Sequence, residues 1–126
     1  MKKIIVTDKA PGAIGPYSQA VQAGDFLFAS GQIPLDPATG QLVTGCIEDQ
    51  AKRVFENIKG LLESAGYTMQ HVVKSLVFAA DINDFAAING VYAQYFTENP
   101  PARSFVAAKD LPKGVGIEVE VIAWKG

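Results

Sequence analysis

The stretch Ile-Glu-Val-Glu-Val-Ile-Ala, residues 117–123, is the most strand-like segment of the chain. Aliphatic residues occupy its odd-numbered positions, and the even-numbered positions carry Glu118, Glu120 and Ile122, followed by Trp124. This period of two predicts a β-strand with apolar residues on both sides. A strand of that kind needs cover on each face of its sheet. The sequence therefore predicts a strand in a sheet that is covered by helices on one face and by a further surface on the other.

The preceding strand-like segment is Pro-Pro-Ala-Arg-Ser-Phe-Val, residues 100–106. The chain has two arginines, and Arg103 is the one that lies outside any predicted helix. A guanidinium can bind a planar carboxylate through two parallel hydrogen bonds. A carboxylate such as Glu118 can accept a proton from water. These two residues predict a site for a small acid, and the alternative for Arg103 is a surface residue or a structural ion pair.

Two helices and several strands complete the predicted order of elements. Apolar residues repeat at three and four over residues 46–65, and Gly66 follows as a left-handed C-terminal cap. Asp84 is the predicted N-cap of a second helix, residues 85 to about 97. The predicted strands are residues 4–6, 18–23, 25–30, 72–80, the Arg103 segment and 117–123, with a turn at 23–25 and a tight turn at 36–40.

This order predicts a single α+β domain, residues 1–126, in which two helices cover one face of a mixed sheet. Two helices cannot cover both faces, so we expect the other face to pack against another subunit. The length is also that of one domain with one hydrophobic core.

Composition and charge exclude several classes of protein. With 48% hydrophobic and 19% charged residues, the chain is that of an ordinary soluble domain. A formal net charge of −2 argues against a nucleic-acid binder. No run is long enough for a signal peptide or a membrane span. Cys46 is the only cysteine, so no intrachain disulfide forms, and we expect a cytoplasmic protein.

Other catalytic arrangements have little support in the sequence. His71 is the only histidine, which excludes a histidine-rich metal site and leaves a Ser-His-Asp triad dependent on one residue. The chain contains no GxxxxGK[ST] phosphate-binding motif. Cys46 is either an inert thiol or, at the start of a helix, one with a lowered pKa. Chorismate mutase chemistry would need several cations, and the chain has two arginines.

Four separated motifs resemble the RidA family, also called the YjgF/YER057c/UK114 family. They are Ala-Pro-Gly-Ala-Ile-Gly-Pro-Tyr-Ser-Gln-Ala at 10–20, Ser-Gly-Gln-Ile-Pro at 30–34, Asn-Asp-Phe-Ala-Ala-Ile-Asn at 83–89 and Pro-Ala-Arg-Ser at 101–104. The resemblance extends from about residue 3 to residue 123. Because four motifs occur in the family's order, the resemblance is specific.

The resemblance implies a chorismate-mutase-like α+β fold of the bacillary type. It also implies a homotrimer with a barrel-like core and clefts between neighbouring subunits. The implied activity is hydrolysis of reactive 2-imino acids, such as 2-iminobutanoate and 2-iminopropanoate, to 2-keto acids and ammonia. These imines are released by PLP-dependent enzymes, whereas the family itself uses no cofactor and no metal.

The resemblance also assigns roles to residues of this chain. Arg103 is similar in position to the arginine that binds the substrate carboxylate, and Glu118 to the glutamate that holds the water. The positions that line the cleft are Tyr17, Ser30, Gly31 and Asn89. Many members with deaminase activity carry cysteine where this chain has Phe105. Since Arg103 and Phe105 are two apart on a predicted strand, their side chains should share one face and the ring should wall the pocket.

Several alternatives stay open at this level. Glu118 could be an ordinary solvent-facing strand residue, Tyr17 a packing residue, and Asn89 a hydrogen-bond partner for a loop. The same cleft could bind a 2-keto acid or another small carboxylate without turnover. Ribonuclease activity is a second rival, which the acidic balance disfavours, and a chaperone role has no signal in the sequence.

Overall fold

A computed structural model describes all 126 residues. Six strands form one sheet in the order β1-β2-β3-β6-β4-β5. The elements in chain order are β1 (Lys3–Ile5), β2 (Ala20–Ala23), β3 (Phe26–Ala29), α1 (Ile47–Ser64), β4 (Val72–Ala79), α2 (Phe85–Tyr95), β5 (Ala102–Ala107) and β6 (Ile117–Trp124). Short 3-10 turns lie at Met69–His71, Ile82–Asp84 and Pro112–Gly114. No helix has the length and apolar character needed to cross a membrane.

Strand β6 lies inside the sheet, between β3 and β4, and pairs antiparallel with both. This internal position agrees with the apolar residues that the sequence places on both sides of the strand. Its odd-numbered residues, Ile117 to Ala123, are buried under the helices. Strand β4 lies between β6 and β5 and runs parallel to β5, the strand that follows α2. The result is a mixed sheet with α1 and α2 on one face, as the α+β prediction expected.

The helices pack on the sheet through aromatic and aliphatic side chains. Phe55 of α1 is fully buried, and its ring meets the Tyr92 ring of α2 edge to face at 5.6 Å. Helix α1 ends where predicted, because Gly66 has a positive φ of 84° and its N–H donates to the carbonyl of Glu63. Asp84 occupies the predicted N-cap position of α2, but its side chain makes no capping hydrogen bond. A 3-10 turn runs directly into α2, and the Asp81 side chain accepts the N–H of Asn83 at the start of that turn.

The predicted turns are also present. Strands β2 and β3 form a hairpin through Gly24, whose φ is +60°. Within 36–40, the carbonyl of Asp36 accepts the N–H of Gly40, and the Asp36 carboxylate accepts the N–H of Ala38. Strand β2 begins at Ala20 and β3 ends at Ala29, so both are shorter than predicted. The residues next to these ends, Gln19 and Ser30, use their side chains to bind the loop that precedes β2.

Two buried amides fasten the long loops to this scaffold. Gln19 donates to the carbonyls of Thr7, Ala10 and Pro11 and accepts the N–H of Thr7. Its side chain thereby holds the loop that precedes Tyr17. The polar atoms of a buried glutamine need such partners, so the loop and the glutamine stabilise each other.

Asn57, a residue of helix α1, holds the next loop, the segment that follows Gly31. It is fully buried, donates to the carbonyls of Ile33 (3.2 Å) and Leu35 (2.8 Å), and accepts Nε–H of Arg53 (3.1 Å). These bonds fix the segment that follows Gly31 against the helix. Arg53 therefore has a structural role, because it donates a hydrogen bond to the buried Asn57 side chain.

The face of the sheet away from the helices carries large apolar side chains that are exposed within one chain. Each has between 42% and 46% of its surface accessible: Ile4, Phe26, Phe28, Val106 and Trp124. Phe26 and Phe28 also contact each other, with ring centres 6.1 Å apart. Several exposed large apolar side chains on one face are typical of a protein interface. The expected packing of this face against another subunit stays a prediction.

We expect Asn57→Ala to lower the free energy of unfolding by about 2 kcal/mol, because two loop carbonyls lose their buried donor. Urea denaturation followed by circular dichroism, at one fixed protein concentration, measures this change. Gln94→Ala is the matched control: Gln94 is exposed on α2, and the change should be within about 0.5 kcal/mol. Equal unfolding midpoints for the two variants would contradict the role of Asn57.

Candidate active site

Arg103 and Phe105 project from β5 towards helix α2. In the parallel pairing with β4, Arg103 lies beside Ser75 and Phe105 beside Val77, and both of those neighbours are buried under the helices. Because paired residues on adjacent strands share a face, Arg103 and Phe105 are on the helix side. The prediction that they share one face is confirmed.

The Arg103 guanidinium is held by a hydrogen bond and by aromatic rings. Its Nη1 donates to Oδ1 of Asn89 at 2.6 Å. Its Cζ lies 4.7 Å from the ring centre of Tyr92, 5.6 Å from that of Phe105 and 5.7 Å from that of Phe85. Cation–π contacts at these distances are attractive. Asn89 therefore binds the arginine itself, not a loop.

A shallow cavity of about 440 Å³ opens beside this guanidinium. It is lined by Asn89, Tyr92, Ala93, Phe96, Pro100, Pro101 and Arg103. One guanidinium N–H is bound to Asn89, and a guanidinium has five, so donors are left for a ligand. A carboxylate is the ligand that such a planar donor edge suits best.

Phe105 forms part of the wall of this region. Its ring packs against that of Phe85 at 4.8 Å and an interplanar angle of 69°. This is the edge-to-face arrangement that aromatic pairs favour. The phenyl ring that replaces the family's frequent cysteine is thus held in place by a second ring.

The Tyr92 ring, which packs against the guanidinium, is itself held by a hydrogen bond to Ser75. Its hydroxyl and that of Ser75 are 2.6 Å apart, and Ser75 is fully buried. Burial raises the pKa of Tyr92, while the Ser75 hydrogen bond and the positive charge of Arg103 act in the opposite direction. With a pKa above its ordinary value, the phenol stays neutral at physiological pH.

Glu118 and Gly31 form a second group on β6 and the adjoining loop. A Cβ on Gly31 would lie 2.5 Å from Oε2 of Glu118, closer than non-bonded atoms approach. Glycine at this position therefore allows the backbone to lie directly against the carboxylate. Burial, with a smaller effect from the negative charge of Glu120, raises the pKa of Glu118 above its ordinary value. A carboxylate with a raised pKa is a stronger proton acceptor.

Tyr17 and Ser30 belong to this second group. A cavity of about 370 Å³ is lined by Tyr17 and Gly31, together with Gln32 and Lys113. Tyr17 is about half exposed. The Ser30 hydroxyl donates to the carbonyl of Ser18 at 2.6 Å, so it joins the end of β3 to the Tyr17 loop. Tyr17 is thus a surface residue in one chain and not part of the core.

The two groups lie on opposite faces of the sheet. On β4, Ser75 is beside Arg103 and Phe78 is opposite Glu118. Ser75 and Phe78 are three positions apart, and an odd separation on a strand places side chains on opposite faces. A single chain therefore brings Arg103 together with Asn89 and Phe105, and Glu118 together with Gly31 and Tyr17, but does not bring Arg103 to Glu118.

Several residues of the site are absent from the sequence prediction. In the sequence, Tyr92 and Phe85 are apolar-face residues of the second helix, yet in the structure their rings surround the arginine. Ser75 and Asn57 did leave a signal, since each is a polar residue on the otherwise apolar, buried face of its element. Such residues are buried only when they are hydrogen-bonded, which marks them as structural connectors.

The two residues with alternative catalytic potential have other positions. His71 accepts the N–H of Thr68 through Nδ1 at 2.9 Å and caps a 3-10 turn. Cys46 is exposed at the N-cap of α1 and makes no capping hydrogen bond. Neither belongs to the groups around Arg103 and Glu118.

Comparison with known proteins identifies the family of this chain. Residues 7–125 match the family model described as endoribonuclease L-PSP. The chain is 48% identical over 126 residues to human 2-iminobutanoate/2-iminopropanoate deaminase, covering 100% of this chain and 92% of the human protein.

Two solved structures show the same fold. A Thermotoga maritima protein described as a putative endoribonuclease is 53% identical, with a TM-score of 0.98 and coverage of 100% of this chain and 99% of that one. Escherichia coli TdcF, solved with bound serine, is 46% identical, with a TM-score of 0.94 and coverage of 98% and 99%. With a match along nearly its whole length, the chain belongs to the RidA family, which is also described as the YjgF or L-PSP family.

Proposed function

We propose that the protein hydrolyses 2-iminobutanoate and 2-iminopropanoate to the 2-keto acids and ammonia. The observation that carries the proposal is the Arg103 guanidinium, held by Asn89 and Tyr92 with donors left free beside a cavity. Small 2-imino acids present one planar carboxylate, which suits such a donor edge. A relative that is 48% identical carries this activity in its name.

The chemistry needs positioning more than covalent catalysis. A protonated imine carbon is already an electrophile, so water can attack it once both are held in place. In this mechanism Arg103 binds the carboxylate and Glu118 takes a proton from the attacking water. The water oxygen forms a bond to C2, giving a carbinolamine. Glu118 then returns the proton to nitrogen, and the C–N bond breaks with its electron pair leaving on ammonia. The hydroxyl proton passes to Glu118 as the C2 carbonyl of the keto acid forms, and Glu118 releases that proton with the departing ammonia as ammonium.

The main-chain groups at Phe105 and Gly31 have a part in this mechanism as contacts for the imine nitrogen or the water. The main-chain N–H and carbonyl groups at residue 105 are the same for any side chain, so Phe105 in place of cysteine is compatible with turnover. The Phe105 ring, packed on Phe85, instead shapes the space for the substrate side chain.

The working form in this proposal is a homotrimer with sites between subunits. Arg103 and Glu118 lie on opposite faces of the sheet, so a complete site requires Glu118, Gly31 and Tyr17 from a second copy. The apolar face that includes Phe26, Phe28 and Trp124 offers a surface for that contact. A closed symmetric assembly repeats the same site at each interface.

A second candidate function is binding of a small carboxylate without turnover. Its support is the TdcF structure, a relative that is 46% identical and was solved with bound serine. The same Arg103 donor edge would hold the carboxylate in either case. Ribonuclease activity has less support, because the only histidine caps a turn and the net charge is −2.

The decisive experiment couples a threonine dehydratase, which releases 2-iminobutanoate, to trapping of the imine by semicarbazide. Wild-type protein should suppress the trapped product. Arg103→Ala should lower kcat/KM by roughly a hundredfold, because the carboxylate loses its charged partner. Arg103→Lys should give an intermediate rate, because it keeps the charge but loses the planar fork.

Lys52→Ala is the control for this series, since it removes an exposed cation of α1 that belongs to neither group of the site. It should retain the wild-type rate per folded molecule. Suppression of the trapped imine by Arg103→Ala at the wild-type rate would overturn the assignment. If neither wild-type protein nor any variant suppresses the trapped imine, but wild-type protein binds 2-ketobutyrate in calorimetry, the carboxylate-binding function replaces the deaminase proposal.

Gly31→Ala tests the contact between the loop and Glu118. The added methyl group displaces the flexible carboxylate and leaves the backbone allowed, so folding should persist while kcat/KM falls roughly a hundredfold. Gly90→Ala is the matched control, because a Cβ there meets no atom within 4 Å. Steady-state imine hydrolysis and thermal melting measure both variants. Equal activity in the two would contradict the proposed role of Glu118.

The pH dependence tests Glu118 as the proton acceptor. Only the ionised carboxylate accepts a proton, so the rate should fall as the pH drops through the raised pKa of Glu118. Glu120→Gln removes a negative charge that contributes to this shift, and the acid limb of kcat/KM should move to lower pH. Burial continues to act, so the limb should stay above the ordinary range of a glutamate. An acid limb unaffected by Glu120→Gln would argue that another group titrates.

A further inference from the structure

A chain of three side chains connects β4, α2 and β5 beneath the Arg103 cavity. Ser75 of β4 contacts the Tyr92 hydroxyl at 2.6 Å, and the Tyr92 ring lies 4.7 Å from Cζ of Arg103. Ser75 and Arg103 are also direct neighbours in the parallel pairing of β4 and β5. The arginine and the residue that anchors its supporting ring are therefore carried by adjacent strands.

The Tyr92 ring is restrained on its other sides as well. Phe55 meets it edge to face at 5.6 Å, and Phe96 lies 4.5 Å away. Tyr92 has 7% of its surface exposed, so its hydroxyl has little access to water. A phenol in such a place needs an internal partner, and Ser75 is that partner. The ring consequently has one position relative to the sheet.

A rigid ring matters because one hydrogen bond does not fix a guanidinium. The bond from Nη1 to Asn89 defines a direction, about which the planar group can still turn. The Tyr92 ring supplies the second restraint, since it supports the guanidinium from one side. With both restraints, the remaining donor edge faces the cavity in a defined orientation.

We propose that Tyr92, held by Ser75, is a positioning residue that sets the plane in which Arg103 presents its free N–H groups to a carboxylate. Tyr92 acts through the arginine and needs no contact with substrate. The kinetic consequence rests on the proposed function, whereas the restraint on the guanidinium does not. The two can therefore be tested separately.

The structural test is NMR of the arginine side chains in wild-type protein, Tyr92→Leu, and the double variant Ser75→Ala/Tyr92→Phe. The double variant keeps the ring and removes both hydroxyls, so no buried polar group is left without a partner. Rotation of the Arg103 guanidinium about Cζ–Nε should be about three- to tenfold faster in the double variant, the equivalent of one lost hydrogen bond. It should be faster still in Tyr92→Leu, with loss of the ring-current shift of the Nε proton.

Arg53 is the internal reference, because it is the only other arginine and its Nε–H is bound to Asn57. Its signals should be the same in all three proteins. Thermal melting and near-ultraviolet circular dichroism establish that each variant is folded. If Tyr92→Leu does not fold, the double variant decides the question.

The kinetic test is the split between KM and kcat for 2-iminobutanoate. A carboxylate clamp acts equally on substrate and transition state, so misalignment should raise KM about three- to tenfold with kcat nearly unchanged. A merely structural role would lower the folded fraction and leave KM at the wild-type value.

The proposal would be overturned if the rotation rate of the Arg103 guanidinium and the KM were both unchanged in the folded variants. If wild-type protein does not hydrolyse the imine, the deaminase function fails, and the NMR comparison alone decides the positioning role.

Discussion

The alternation of side chains along a β-strand is the constraint on which the site depends. Strand β4 pairs with β5 on one side and β6 on the other, and this register sends Arg103 and Glu118 to opposite faces. No change of rotamer can bring a side chain through a packed sheet. In the proposed function, the carboxylate-binding group therefore lies under the helices and the proton-accepting group on the other face. A second copy of the chain would then be needed to bring the two groups together, and this follows from the strand pairing.

The helix side depends on polar groups that are buried but fully partnered. Asn57 and Gln19 fasten the two loops of the Glu118 half, and Ser75 and Tyr92 support the arginine. No buried side-chain polar atom lacks a hydrogen-bond partner. Such groups contribute little net stability, yet each is costly to leave unsatisfied. They therefore specify one arrangement of loops and rings on a core that apolar packing alone would leave less defined.

The face of the sheet that carries Glu118 shows the opposite balance between stability and chemistry. Glu118 lies against the backbone at Gly31 and near Glu120, and its pKa is raised by burial and by that neighbouring charge. Ionisation is then less favourable in the folded protein than in the unfolded chain, so this group costs stability as the pH rises through its raised pKa. A glutamate in that condition is poorly placed for stability and well placed to take a proton.

The sequence by itself determined the elements, their order and the family, because helix periodicity, strand alternation, turn glycines and the four motifs are all local patterns. It also proposed Arg103 and Glu118 as candidate site residues and predicted the shared face of Arg103 and Phe105, since a period of two needs only one strand. The local pattern placed Asp84 correctly at the N-cap of α2, but it did not show that a 3-10 turn continues into the helix and that the Asp84 side chain makes no capping hydrogen bond. Only the tertiary structure decided that Tyr92 and Phe85 surround the arginine, that Asn89 binds it, and that Glu118 lies on the other face. Those contacts depend on which strands pair and in what register, and side chains far apart in the chain become neighbours only when the sheet forms.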